Sequence, residues 1–389
     1  MSTYLIPIQT ALVVFPFIAF FMTVPYMIVQ YRKFGSIPVL RTIIIFSFVL
    51  YLLSSYFLVI LPLPPVEEVA NYTTPTTQWI PFTFIADFFH DSGIVIQDSS
   101  TYLPALLSQS CLQVVFNILL LLPLGIYLRY YFKRNWWQTL LICLGTSLFF
   151  EITQLTGLYG IYPRSYRLFD IDDLMLNTLG GMLGFLICPI IQWILPKKEE
   201  IDKRAYEKGR QVSFLRRLMA FLTDWCILAT FLSLLLVVGL ALFPNLKSIN
   251  FFSEGIYASI IGIYFIFIPW LTKGYTPGKA LFRLKITTIH GDKPKLYQYV
   301  IRYVFLYAIL LQWPVVIGYI WKLYEFLPIW LAMVPVIFTF EVLTLVVWFG
   351  VDLFCLFFGI RKETLYDTLS KTKNISTIDI KYDEKIENG

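Results

Sequence analysis

The feature that most constrains this chain is a series of apolar stretches, each long enough to cross a lipid bilayer. Crossing the hydrocarbon layer takes roughly 20 apolar residues in a helix, and about nine stretches meet that length. They lie at about residues 8–30, 42–62, 107–130, 137–157, 173–195, 218–243, 255–271, 302–321 and 328–350. Hydrophobic residues make up 58% of the chain and charged residues only 14%. Because backbone polar groups in lipid must be satisfied internally, we predict an all-α polytopic membrane helical bundle.

Basic residues are concentrated in alternate connections, which predicts the orientation. Cytoplasmic loops are enriched in Lys and Arg. The basic connections follow the first, third, fifth and seventh stretches and include Arg32, Lys33, Arg129, Arg134, Lys197, Lys203, Lys279 and Lys285. The intervening connections carry Glu67, Asp87 and Asp98 instead. We therefore predict an outside N-terminus and a cytoplasmic C-terminus. Whether the number of crossings is odd, as this assignment requires, depends on the short connection at 322–327.

A charged segment at residues 196–216 predicts a division into two membrane domains. It mixes acidic and basic residues and reads as a cytoplasmic linker. We predict a five-span domain at 1–195 with a long outer segment at 63–106, then a four-span domain at 217–375. Residues 376–389 form a predicted cytoplasmic tail.

Polar residues gather around one predicted helix-to-helix connection on the outer side. Glu151 and Gln154 are three residues apart, which places them on one helix face. Asp170, Asp173 and Asn177 have the i, i+3, i+7 spacing of a second face. Ionisable groups at a membrane boundary are expensive, so the cluster indicates a functional site. We expect Arg167 to pair with Glu151 or an aspartate, and Asp170 or Asp172 to cap the following helix.

This cluster resembles the signature of the VanZ-like family. The pattern is E-x-x-Q at 151–154, then R-x-F-D-I-D-D-x-x-x-N-x-x-G-x-x-x-G from Arg167 to Gly184, preceded by NILLLLPLGIYLR at 117–129. The family is named for an accessory protein that lowers susceptibility to the glycopeptide teicoplanin. The resemblance covers roughly residues 40–195 and implies a polar pocket of Asn117, Glu151, Gln154, Arg167, Asp170, Asp173 and Asn177.

A second polar set falls on the predicted cytoplasmic side. Arg217 and Asp224 are seven residues apart on one helix face, so Asp224 lies about 10 Å deeper. A lone buried aspartate needs partners, and the candidates are Arg217, Arg302 and a second acid, Asp352. The TPGK segment at 276–279 lacks the spacing of a phosphate-binding loop, whereas the alternation in ALFRLKITTI (280–289) predicts a short hairpin or an interfacial strand.

This second set resembles the RDD family, named for an arginine and two aspartates. Arg217, Ala220 and Asp224 match its first element, G-x-T-P-G-K at 274–279 its second, and Asp352 with LYDTLSKT at 365–372 its last. The resemblance covers about residues 214–375 and implies a site of Arg217, Asp224, Arg302 and Asp352. Ion or proton antiport is proposed for some members, while a buried ionic tie between helices is the structural alternative.

The composition excludes several other classes of site. The five cysteines lie in apolar runs without a CxxC pair, and the only two histidines are far apart in sequence, which disfavours thiol or histidine metal chemistry. We expect no cofactor, leave metal use open, and find no basic domain suited to nucleic acid. The net charge of +6 suits contact with anionic membrane lipid.

These observations predict a multi-pass protein of the cell membrane of a Gram-positive bacterium. The leading hypothesis is an envelope protein whose outward acidic pocket engages a cell-wall precursor, a glycopeptide or a lipid headgroup and modulates teicoplanin susceptibility. An ion-coupled or proton-coupled transporter is the first alternative. A membrane enzyme that uses paired carboxylates, or a divalent metal, on an amphiphilic envelope substrate is the second.

Overall fold

The computed structural model describes residues 2–95, 97–242, 259–324 and 333–378. It confirms the all-α membrane helical bundle, to which two small two-stranded sheets are added. The helices up to residue 192 are α1 Ser2–Phe34, α2 Val39–Ile60, α3 Val66–Ala70, α4 Thr83–Asp91, α5 Tyr102–Leu106, α6 Gln109–Tyr130, α7 Trp136–Leu155, α8 Gly157–Gly160 and α9 Ile171–Gln192. The later helices are α10 Lys198–Gly209, α11 Phe214–Leu242, α12 Ser259–Leu271, α13 Pro277–Leu281, α14 Leu296–Val304, α15 Trp313–Tyr324, α16 Val334–Phe357 and α17 Leu365–Leu369.

Seven helices in the described part of the chain are long and apolar enough to cross a membrane: α1, α2, α6, α7, α9, α11 and α16. The first five correspond to the five spans predicted before residue 196. Many of their apolar side chains lie on the outer surface, including Phe20 and Phe21 at 74% and 75% exposure. Such outward apolar faces suit a lipid environment, where no water penalises them.

The later predicted spans agree only in part with the helices. The stretch predicted at 302–321 is interrupted, because α14 continues as a π-helix over Phe305–Leu310 and α15 begins at Trp313. Pro314 explains the restart, since proline fits the first turn of a helix but not its interior. Parts of the predictions at 218–243, 255–271 and 328–350, of the connection Lys322–Leu327, and of the tail 376–389 lie outside the described residues. The number of spans and their orientation therefore stay predictions.

The chain divides into two compact units. The first contains residues 1–23 and 39–201, and the second contains residues 24–38 and the described residues from Asp202 onward. The charged segment at 196–216 is partly helical, because α10 occupies most of it. The domain boundaries predicted from the sequence stay predictions.

Glycines bring α6 and α9 of the first unit into close contact. A Cβ at Gly180 or Gly184 of α9 would collide with the carbonyls of Ile118 or Leu122 on α6, and one at Gly125 would collide with the backbone of α9. Small residues allow such an approach between membrane helices. The approach places Asn117 of α6 beside the acidic end of α9.

The second unit holds an antiparallel pair, β3 Leu284–Thr288 with β4 Thr372–Ser376. Of the hairpin and the strand predicted from the alternation at 280–289, the structure shows a strand whose partner is distant in sequence, with Leu284 opposite Ser376 and Thr288 opposite Thr372. In the first unit, β1 Thr77–Gln78 pairs in parallel with β2 Phe169–Asp170. Both pairings bring segments that are distant in sequence next to polar residues discussed below.

Candidate functional site

A cavity of about 640 Å³ in the first unit is lined by six of the seven predicted outer residues: Asn117, Glu151, Gln154, Arg167, Asp173 and Asn177. The rest of its wall is mostly apolar and includes Phe116, Leu119 and Leu120 of α6. The cavity therefore has a polar part and an apolar part. The structure brings these six polar side chains to one cavity.

The seventh predicted residue, Asp170, caps a helix beside the cavity. Its carboxylate accepts a hydrogen bond from the Asp172 backbone N–H at 2.9 Å, as an N-cap of α9 does. Its own N–H donates to Glu151 Oε2 at 3.1 Å, which ties the end of α7 to the start of α9. Burial raises the pKa of Asp170 against the effect of the backbone bond, and the charges of Asp172 and Asp87 raise it further.

Arg167 and Gln154 hold the end of α2 rather than a carboxylate. Arg167 donates from Nη1 to the Val59 carbonyl at 3.0 Å and from Nη2 to the Leu61 carbonyl at 3.1 Å. Gln154 Nε2 donates to the same Val59 carbonyl at 2.9 Å. The expected pairing of Arg167 with Glu151 or an aspartate is therefore not formed. The guanidinium instead satisfies carbonyls that a helix C-terminus leaves unpaired, where a cation also complements the helix dipole.

Two amides face the cavity from opposite helices. Asn117 Nδ2 donates to Asp173 Oδ1 across the α6–α9 contact. Asn177 is only 3% exposed, and its Nδ2 donates to Ser147 Oγ at 3.0 Å. Its Oδ1 has no hydrogen-bond partner among the described residues. An unpaired buried carbonyl carries a desolvation penalty that a bound donor would relieve.

Asp172 is a buried anchor that the sequence analysis treated only as a possible cap. Its Oδ1 accepts from the Phe82 N–H at 2.6 Å, and its Oδ2 accepts from Thr83 Oγ1 at 2.7 Å and from the Phe84 N–H at 3.1 Å. These donors belong to the first turn of α4 and the residue before it, where a carboxylate complements the helix dipole. Asp172 thus holds α4, the apolar-aromatic part of the outer segment, against the start of α9.

Replacing Asp172 with alanine should release α4 while leaving the helical bundle intact. Three donors would lose a charged acceptor, which costs about 1–3 kcal/mol in local stability. We expect hydrogen exchange of the α4 amides to accelerate by about tenfold or more, measured by mass spectrometry on the detergent-solubilised chain. Asp91→Asn, an exposed acid at the other end of α4, is the control. Unchanged α4 exchange in the alanine variant, with α9 still protected, would contradict the anchoring role.

In the second unit, Asp224 is fully buried without a cationic partner among the described residues. Its Oδ1 accepts from Tyr264 Oη at 2.9 Å and from the Gly278 N–H at 2.7 Å, and its Oδ2 accepts from Thr276 Oγ1 at 2.5 Å. A Cβ at Gly278 would collide with this carboxylate and with the Ala220 carbonyl. The TPGK segment is therefore a cradle for a side-chain carboxylate. We expected Arg217, Arg302 or Asp352 to be the partner of Asp224, but the groups that hydrogen-bond to it are Tyr264, Thr276 and Gly278.

Both arginines bind Asp367 instead. Arg302 Nη1 lies 2.5 Å from Asp367 Oδ1, and Arg217 Nη1 lies 2.9 Å from Asp367 Oδ2. The Thr364 N–H and hydroxyl also donate to Asp367. Burial alone would raise the pKa of this carboxyl, but the two guanidinium charges and the Thr364 bond outweigh it and hold the pKa below its usual value. The Tyr366 ring lies 4.8 Å from the Arg302 guanidinium, a cation–π distance.

Asp352 lies apart from the other three predicted residues of this side. Arg217, Asp224 and Arg302 line one small cavity of about 60 Å³, whereas Asp352 lines a separate groove. Asp352 accepts from Arg361 Nη1 at 2.9 Å and from the Leu365 N–H at 2.7 Å. It therefore fixes the start of α17, the helix that carries Asp367.

Metal ligation was left open by the sequence. Among the residues that the structure describes, no three His, Cys, Asp or Glu side chains form a group that could hold a metal ion.

Comparison with known families agrees with this two-part arrangement. A model of the VanZ/LLP1 family matches residues 48–192, and a model of the RDD family matches residues 212–371. The chain combines a VanZ-like region with an RDD region. No curated protein and no solved structure matches it.

The VanZ-like and RDD regions each contain a key residue that sequence reasoning did not select as a site residue. Asp172 stood inside the quoted VanZ-like pattern, and Asp367 stood inside the RDD element LYDTLSKT. A third is Arg216, fully buried, which donates to the carbonyls of Phe282, Gly209 and Arg283. The sequence could not distinguish Arg216 from Arg217, because the two arginines are adjacent at the start of α11.

Proposed function

We propose that the VanZ-like cavity binds the head of an amphiphilic envelope molecule, such as a cell-wall precursor, a glycopeptide or a lipid. By doing so the protein lowers susceptibility to teicoplanin-type glycopeptides. The observation that carries this proposal is the lining of the cavity, which combines the six predicted polar side chains with a mostly apolar remainder from α2 and α6.

Polar and ionisable groups inside a membrane protein are expensive and mark sites of function more often than sites of packing. A cavity of about 640 Å³ is within the usual range for ligand sites, and its mixed wall matches a molecule with a polar head and an acyl chain. Phe116 and Leu119, both more than a third exposed, would contact such a chain.

The predicted orientation supports an envelope ligand. With the basic connections on the cytoplasmic side, as predicted from the sequence, the carboxylates of this cavity would lie at the outer face of the membrane. Glycopeptides and cell-wall precursors are encountered on that face. Binding there would change how much glycopeptide reaches its target.

Susceptibility testing in a sensitive Gram-positive host tests the proposal. Cells producing wild type should tolerate at least about fourfold more teicoplanin than empty-vector cells, with a smaller change for vancomycin. Glu151→Gln or Asp173→Asn should remove this difference, since removing a buried polar partner costs most of a site's affinity. Asp91→Asn is the matched control, because its ion pair with His90 is exposed. Membrane levels of all variants are equalised by immunoblot. Equal tolerance of wild type and empty-vector cells would overturn the proposal.

A membrane enzyme is the second candidate, because Glu151 and Asp173 line the same cavity and could act as acid and base. An enzyme would convert an amphiphilic envelope substrate, and Asp173→Asn would abolish turnover while binding persists. A transporter would show ion-coupled flux in vesicles. Tolerance that depends on the carboxylates without turnover or flux supports binding alone.

A further inference from the structure

We propose that the ligand head bound in the VanZ-like cavity carries a protonated amine. This inference rests on the proposed function, because it names the chemistry of the ligand that the cavity binds.

The charged groups of the lining are Glu151, Asp173 and Arg167, and its other polar groups are neutral amides and hydroxyls. Glu151 accepts from the Asp170 N–H, and Asp173 accepts from Asn117 Nδ2 and has Gln113 as a second neutral neighbour. In the described part of the chain, neither carboxyl is within ion-pair distance of a lysine or arginine. Two carboxyls in a protein interior without a cation are costly, and a cationic ligand would offset that cost.

Arg167 lines the cavity, but its terminal nitrogens are already engaged. Nη1 and Nη2 donate to the Val59 and Leu61 carbonyls at the end of α2. Breaking these bonds would remove the Arg167 donor from the Leu61 carbonyl and leave the Val59 carbonyl with Gln154 as its donor, so Arg167 is poorly placed to receive an anionic head. A phosphate head would therefore lie beside the carboxyls of Glu151 and Asp173 with no free guanidinium to pair with it.

Asn177 supplies an independent observation. It is 3% exposed, lines the cavity, and has an Oδ1 without a hydrogen-bond partner among the described residues. A carboxyl cluster by itself does not define a ligand, but an unpaired carbonyl beside it requires a donor. An ammonium has three N–H donors and no acceptor, which matches two carboxyls and one amide oxygen.

Chain-matched probes test the charge of the head directly. We would titrate dodecylamine, dodecanol and dodecyl phosphate into the full chain in a neutral detergent at pH 7 and measure saturable binding by calorimetry. Dodecylamine should bind the wild type at least about tenfold more tightly than either other probe, the size expected for a buried charge pair. Binding of dodecyl phosphate as tight as dodecylamine would overturn the proposal.

The variants show whether the amine occupies this cavity. Glu151→Gln, Asp173→Asn and Asn177→Leu should each weaken dodecylamine binding by about tenfold while leaving dodecanol binding unchanged. Asp91→Asn should leave both unchanged. Dodecylamine binding that is equal in wild type and all cavity variants would show partition into the micelle and would also overturn the proposal. The wild-type ranking of the three probes does not depend on the folding of any variant.

The two proposals fail separately. If teicoplanin tolerance depends on Glu151 and Asp173 but dodecylamine shows no preference, the amine inference is wrong and the proposed function stands. If tolerance does not change with the protein at all, the proposed function is wrong whatever the probes show.

Discussion

Replacing Asp367 with asparagine should lower the free energy of unfolding by about 3–5 kcal/mol, the range for breaking a buried ion pair by removing one partner. Asp367 is fully buried and forms ion pairs with both Arg302 and Arg217. Asparagine would leave two guanidinium groups facing an uncharged amide. Unfolding in mixed micelles, followed by circular dichroism, measures the change.

Asp292→Asn is the control for this variant, because Asp292 lies exposed in the same unit. It should change stability by no more than about 0.5 kcal/mol. An Asp367 variant as stable as the control would show that the two arginines are held by other contacts, and that their bonds to Asp367 contribute little.

The same carboxyl predicts how stability depends on pH. The folded-state pKa of Asp367 lies below its ordinary value of 3.8. The stability that this carboxylate contributes is therefore fully present above pH 3.8 and is lost as the pH falls through its lower folded-state pKa. Wild type should lose stability over this acidic range more steeply than Asp367→Asn does. Parallel pH profiles would contradict the pairing.

Replacing Asp224 with asparagine should lower the free energy of unfolding by about 2–4 kcal/mol. Tyr264, Thr276 and Gly278 each donate to this buried carboxylate. The amide of asparagine replaces one acceptor oxygen with a donor, so at least one buried donor is left unsatisfied, and charge-assisted bonds are replaced by weaker ones. The same mixed-micelle unfolding experiment measures the loss.

Tyr264→Phe is the matched comparison, since it removes one donor and leaves two. It should cost about 1–2 kcal/mol. The double variant should lose less stability than the sum of the two single losses, because Tyr264 and Asp224 share a hydrogen bond. If Asp224→Asn costs no more than Tyr264→Phe, then the TPGK cradle does not stabilise the RDD region.

The sequence by itself determined the class of the protein and the residues worth examining. The length of an apolar run is a local property, so five spans before residue 196 were readable directly, and each corresponds to a long helix. Helical spacing was local as well, which is why Glu151 with Gln154, and Asp173 with Asn177, could be grouped from the sequence; all four line one cavity. The interruption between α14 and α15 was missed because the residues around it are mostly apolar, although Pro314 marks the restart in the sequence.

Only the tertiary structure decided which polar groups are partners. Arg217 and Asp367 are 150 positions apart, and nothing in the spacing of either favoured the pair over Arg217 with Asp224. Likewise, Arg167 lies next to several acids in sequence yet binds carbonyls at the end of α2. Long side chains reach any of several acceptors, so the choice depends on where distant helix ends meet. A membrane span is determined by its own residues, whereas a buried charge pair is determined by how the helices pack.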